Sequence, residues 1–143
     1  MKTVIFDMYG VIMKHPEGAL LPFVNRTFPD IKHEDVYTHW MDANVGSLSS
    51  LEFFKNIGFK GDLNKIEIEY LNTIEIDESF YETAQMLKKY CRLALLSNDL
   101  SEWSGYLRGK FKINGFFDVI IVSGDVGIKK PEPEKITIKM DKE

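Results

Sequence analysis

The chain has 143 residues, 44% hydrophobic and 28% charged, which suits one folded domain with a single core and a modest insertion. A net charge of −4 with no basic run excludes a nucleic-acid footprint. The lone Cys91 excludes an internal disulfide, and no apolar run is long enough to cross a bilayer. Asp7 follows Lys2 too closely to leave room for the apolar part of a signal peptide, so a cytoplasmic soluble protein is expected.

In chain order, the first expected element is a buried strand, TVIFDM (residues 3–8), running into the carboxylate of Asp7 and then Gly10. Residues 15–77 read as helices. HEDVYTHWMDANVG puts Val36, Tyr37, Trp40 and Met41 on one face and stops at Gly46. SSLEFFKNIG opens on a capping-box pattern, Ser49 with Glu52. DLNKIEIEYLN takes Asp62 as N-cap, although its Ile-Glu-Ile-Glu alternation also fits a strand, and DESFYETAQMLKKY opens on Asp77. Two further aliphatic runs, RLALLS (92–97) and DVIIVS (118–123), read as strands covered on both faces. Between them LSEWSGYLRG is a helix, with Asp99 and Glu102 offering a second capping box.

The three strands each end in polar groups: Asp7; Ser97 with Asn98; and Ser123 to Asp125. In open α/β sheets ligands bind beyond the carboxyl ends of parallel strands, so these ends are expected to converge. Beyond them, SGDVGIKKPEPE supplies Lys129 and Lys130 in a proline-braced loop. A carboxylate can attack phosphorus or carbon to give a covalent intermediate that water clears. Ser97 and Asn98 supply donors for the oxygens of the attacked group, and a lysine supplies a compact positive charge. A helical insertion directly after the first strand is placed to lie over such a site as a lid. His15, His33 and His39 lack metal-ligand spacing, and only His15 follows the Asp7 loop closely enough to touch substrate. Asp125 reads as structural.

FDMYGVI, LLSND and GIKKP, in that order, resemble the first three motifs of the haloacid dehalogenase superfamily. The resemblance covers essentially the whole chain. It implies an α/β fold with a three-layer, parallel, Rossmann-like sheet; a core formed by residues 1–14 and 78–143; and a helical cap at 15–77. It implies Asp7 as nucleophile, Ser97, Asn98 and Tyr9 around the transferred group, and Lys130 as the motif lysine. It also implies Mg²⁺ held by the Asp7 carboxylate and the Tyr9 carbonyl. The expected activity is that of a hydrolase, most simply a phosphatase acting on a small phosphorylated metabolite.

Two departures qualify this picture. Tyr9 stands where the family's phosphatases usually carry a second aspartate as general acid and base, and a phenol with a pKa near 10 is a poor replacement. Tyrosine at that place resembles the 2-haloacid dehalogenases, which need no metal. The second departure lies after Lys130, where PEPEKITIKMDKE contains no strand ending in paired acids, so the family's fourth motif is missing and the Mg²⁺ site is incomplete. A chain truncated in this way would leave TVIFDM as an exposed edge, open to self-association. A non-catalytic remnant that binds a ligand or partner is then the third expectation.

Overall fold

The computed structural model describes residues 1–128; the expectations for Lys129, Lys130 and the tail beyond them lie outside the described residues. Strand β1 (Lys2–Phe6) leads to a short β2 (Met13–Lys14) and then to helices α1 (Leu20–Thr27), α2 (His33–Asn44), α3 (Ser50–Asn56) and α4 (Leu63–Leu71). The chain returns through β3 (Glu75–Ile76) and α5 (Ser79–Leu87) to β4 (Cys91–Ser97), α6 (Ser101–Lys110), β5 (Val119–Val122) and the single turn α7 (Ser123–Val126). The sheet is parallel in the order β1-β4-β5, with Val4 opposite Leu93 and Leu95 opposite Ile120. The α/β parallel-sheet expectation is met. One sheet face, carrying Val4, Phe6, Leu93 and Leu95, joins the main core with Phe80 and Ala84 of α5. The other face carries a smaller cluster of Ala94, Val119 and Ile121, with Leu96 and Val126 packed against it. Ile5, in register with Ala94 on the outer strand, remains 52% exposed.

β1 stops at Phe6, two residues before the sequence suggests. The Asp7 carboxylate takes the N–H of Met8 at 2.7 Å, and the Met8 carbonyl then takes the N–H groups of Val11, Ile12 and Met13. Those inward bonds satisfy the backbone locally, so the strand cannot continue. β5 likewise ends at Val122, because Ser123 already opens the α7 turn.

The inserted helices leave and re-enter the core through one antiparallel ribbon, with Met13 opposite Ile76 and Lys14 opposite Glu75. The capping box at Ser49 and Glu52 is formed, and Asp62 caps α4 by accepting from the N–H of Lys65, which decides for helix over strand there. Three details differ from expectation. α1 carries no signal in the reading above because it contains Pro22. That proline sits in the first turn, where its missing N–H costs nothing. In α2 the buried residues are Val36, Ala43 and Asn44, whereas Tyr37 is 60% exposed. The Asp99–Glu102 box does not form: Leu100 is the N-cap of α6 and no side chain caps it. Both acids are used elsewhere.

Insertion and core meet in two ways. Trp103 of α6 is buried among Phe53 and Phe54 of α3 and Tyr70 of α4, with ring centroids 4.9–6.0 Å apart, and its Nε1–H donates to Glu67 at 3.1 Å. Glu102 accepts from the N–H of Ser50 at 3.1 Å. Beside this, backbone lies directly on backbone. Gly124 donates to the Asp99 carbonyl at 3.0 Å, and a Cβ on Gly124 would stand 2.5 Å from the Ser101 nitrogen. Gly46, at φ +80°, faces the Gly124 carbonyl just as closely. Gly124→Ala is therefore expected to cost about 1–3 kcal/mol by overpacking. Gly109→Ala, in α6 with open space around it, should gain about 0.5–1 kcal/mol. Urea unfolding of the two variants checks the contrast; equal effects would contradict the packing.

Candidate active site

At the carboxyl ends of β1 and β4 a cleft of about 870 Å³ opens between the sheet and the inserted helices. Asp7, Tyr9 and Asn98 line it, together with His15, Trp40, Tyr70 and Trp103. The structure thus brings together three of the residues singled out from sequence. Asp7 is exposed, as a carboxylate that meets a ligand must be. Ser97 stays behind them: it is 2% exposed at the end of β4, and its hydroxyl has no hydrogen-bond partner among the described residues. A buried hydroxyl left in that state costs about 1–3 kcal/mol, which a ligand oxygen or a further side chain would recover. His15 lines the cleft, its ring 5.0 Å from that of Tyr9, and partial burial holds its pKa below the ordinary histidine value. His33 also lines the cleft, which sequence reading did not expect, while Asp125 serves structurally by accepting from the Ser101 hydroxyl.

The residue that sequence reading assigned to the wrong task is Asp99. It is 2% exposed, and one carboxyl oxygen accepts from the Tyr9 hydroxyl at 2.7 Å. The other accepts from the N–H of Leu100 at 2.8 Å. Its backbone N–H donates to the Ser123 hydroxyl at 2.9 Å, which turns back toward the Asp99 carbonyl at 3.2 Å. Burial pushes the Asp99 pKa up to about 7, although the Tyr9 and Leu100 hydrogen bonds act the other way. Tyr9 in turn is raised well above the ordinary phenol value, first by burial and then by the charge of Asp99. Its hydroxyl is therefore directed at a buried carboxyl and held protonated. Committed in this way, the phenol does not offer the chemistry of a carboxyl general acid. A buried acid following Ser-Asn was the available signal, but an acid three residues before Glu102 looks the same as a cap on paper.

The metal set expected from sequence is not completed by the described residues. Among them no group of three or more His, Cys, Asp or Glu side chains is placed to hold an ion. Asp7 and the Tyr9 carbonyl remain the only members of the set named from sequence.

The site thus consists of a parallel sheet whose first strand runs into an exposed aspartate beneath the inserted helices. A model of the haloacid dehalogenase-like hydrolases matches residues 1–142, and the chain belongs to that family. A phosphoglycolate phosphatase of Aquifex aeolicus is 24% identical over 95% of this chain and 67% of its own length. A haloacid dehalogenase family enzyme of Bacteroides thetaiotaomicron, in complex with magnesium and inorganic phosphate, superposes with a TM-score of 0.82 at 17% identity. That match covers 99% of this chain and 78% of the other. The L-2-haloacid dehalogenase of Xanthobacter autotrophicus superposes with a TM-score of 0.62 at 17% identity, over 99% of this chain and 64% of its own. Among the described residues no helix is long and apolar enough to cross a membrane.

The sign of the Asp99 effect gives a test. Its folded pKa of about 7 lies above the model-peptide value of 3.8, so the folded state binds the proton more tightly. Its stabilising share is complete below about pH 4 and is lost as pH rises through 7. In chelator, the wild-type chain should lose a few kcal/mol between pH 5 and 8, and Asp99→Asn should flatten that profile. Tyr9→Phe removes the donor that favours the charged form, so it should cost about 1–3 kcal/mol at pH 8 and less at pH 5. Denaturant titrations across pH read both. A Tyr9→Phe penalty independent of pH would contradict the assigned hydrogen bond.

Proposed function

We propose that this chain is a phosphatase acting on a small phosphate monoester, with Asp7 as nucleophile. The observation that carries the reading is the placement of the Asp7 carboxylate, exposed at the end of β1, at the floor of a cleft covered by the inserted helices. The 24% identity to a phosphoglycolate phosphatase supports phosphoryl transfer over halide displacement. In this reading an Asp7 oxygen attacks phosphorus, the P–O bond to the alcohol breaks, and water then hydrolyses the acyl phosphate to release phosphate and restore Asp7. Asn98 at the cleft wall and the unpartnered hydroxyl of Ser97 are the groups offered to the phosphoryl oxygens, and Lys130 is the cation. Residues 15–77 act as the cap over the substrate. Because the Tyr9 hydroxyl is turned to Asp99, the leaving alkoxide takes its proton from solvent. Magnesium is the cofactor this reading calls for, and when bound it supplies charge neutralisation at the phosphoryl group.

A second reading rests on Tyr9 itself. A halide leaving group needs no proton, so the same nucleophile could displace halide from a 2-halo acid without metal. Turnover of a general phosphate ester in Mg²⁺ should be measurable and should fall by more than about 1,000-fold in Asp7→Asn. Loss of that turnover in chelator completes the phosphatase assignment. Turnover of a 2-halo acid that survives chelator would decide for the alternative, and a folded chain inert to both would reject Asp7 catalysis.

A further inference from the structure

We propose that the cleft above Asp7 selects a phosphate monoester whose alcohol part is a flat, uncharged, aromatic body, in preference to one bearing a second anionic group or several hydroxyls. The inference rests on the phosphatase reading and adds to it the substrate class.

Size comes first. A space of about 870 Å³ is far more than a phosphate group needs and falls within the range of sites that enclose a whole small ligand. The walls come second. Tyr9, Tyr37, Trp40, Tyr70 and Trp103 all border the space. Two of them have their polar ends engaged by other side chains of the protein. The Tyr9 hydroxyl is committed to Asp99 at 2.7 Å, and Trp103 Nε1–H to Glu67 at 3.1 Å. Tyr70 and Trp103 are nearly fully buried, so the ring surface open to a ligand belongs to Tyr9, Tyr37 and Trp40. Rings of this kind recognise another ring by offset or edge-on contact. Part of the remaining wall is aliphatic, at Ala19, Leu20, Leu21 and Val36, where a sugar hydroxyl would lose water and find no partner; His15, His33, Thr38 and Asn98 make up the polar part.

Charge is the third argument. Asp7, Glu34 and Asp99 border the cleft, and among the described lining residues there is no lysine or arginine. Of these, Asp7 and Glu34 bring carboxylates to the cleft, which disfavours a second anionic group on the alcohol part. The family lysine, Lys130, is assigned to the transferred phosphoryl group in this reading.

The experiment uses the full chain in Mg²⁺ with three esters of primary alcohols, whose leaving groups are close in reactivity: 2-phenylethyl phosphate, glycerol phosphate and 2-phosphoglycolate. The expected result is a kcat/KM for the phenylethyl ester at least about tenfold above both others, carried mainly by KM, as one ring contact plus its buried area would give. Trp40→Ala should raise KM for that ester at least about fivefold, and Tyr37→Ala, at a 60% exposed position that folding does not depend on, should act in the same direction. Equal or better turnover of glycerol phosphate or phosphoglycolate overturns the inference while leaving the phosphatase reading intact. A turnover-free arm separates the two. Asp7→Asn is titrated with each ester, with tryptophan fluorescence as the readout. If the wild-type chain turns over none of the three, the phosphatase reading fails, and the binding arm still decides. Tighter binding of the phenylethyl ester supports the aromatic site, and equal or tighter binding of phosphoglycolate rejects it.

Discussion

The hydrogen bond from the Tyr9 hydroxyl to the buried Asp99 carboxyl joins two loops ninety positions apart in the chain, and the arrangement of the cleft depends on it. A carboxyl taken out of water must be given donors, and Asp99 receives the Tyr9 hydroxyl and the N–H of Leu100. Satisfying that acid fixes the loop after β1 against the loop after β4. This sets Asp7 and Asn98 on the same cleft. The Ser123 hydroxyl and the Gly124 N–H bind the Asp99 backbone and bring the end of β5 to the same point. Gly124 is required there because any side chain would strike the backbone of α6.

The same knot joins the inserted helices to the core. Glu102, next to the α6 N-terminus, accepts from Ser50, and one turn of Trp103 carries its ring into the aromatic cluster of α3 and α4. Gly46 rests on Gly124. The insertion is thus held by a buried indole and by backbone contact, as well as by the ribbon at Met13–Lys14 and Glu75–Ile76. Acting as a lid that swings fully clear would expose Trp103 and break its bond to Glu67.

Within the haloacid dehalogenase-like hydrolases, the chain keeps the aspartate at the end of the first strand and replaces the second acid with a tyrosine whose hydroxyl looks inward. That tyrosine ties two loops together and contributes a ring to the cleft. Much of the cleft's character follows from that change. Polar ends are occupied within the protein, and ring faces are left for the ligand.

The sequence alone determined the sheet and its polar ends. Three short aliphatic runs read as buried strands and all three form the sheet, β4 and β5 buried and β1 left half-open along its outer face. It also determined the caps at Ser49 and Asp62, because a cap is a contact between residues three apart and its signal is local. The placement of Asp7, Tyr9 and Asn98 together followed from those strand ends. Tertiary structure decided what local spacing could not. Asp99 and Glu102 have the spacing of a capping box, yet burial beside Tyr9 captured one and the N–H of Ser50 captured the other. α1 contains a proline and declared itself only by packing Leu20, Phe23 and Val24 into the core. The face of α2 rotated so that Tyr37 points outward at the cleft mouth. In each case the deciding partner lies far along the chain, and long-range burial outweighs a local preference worth about 1 kcal/mol.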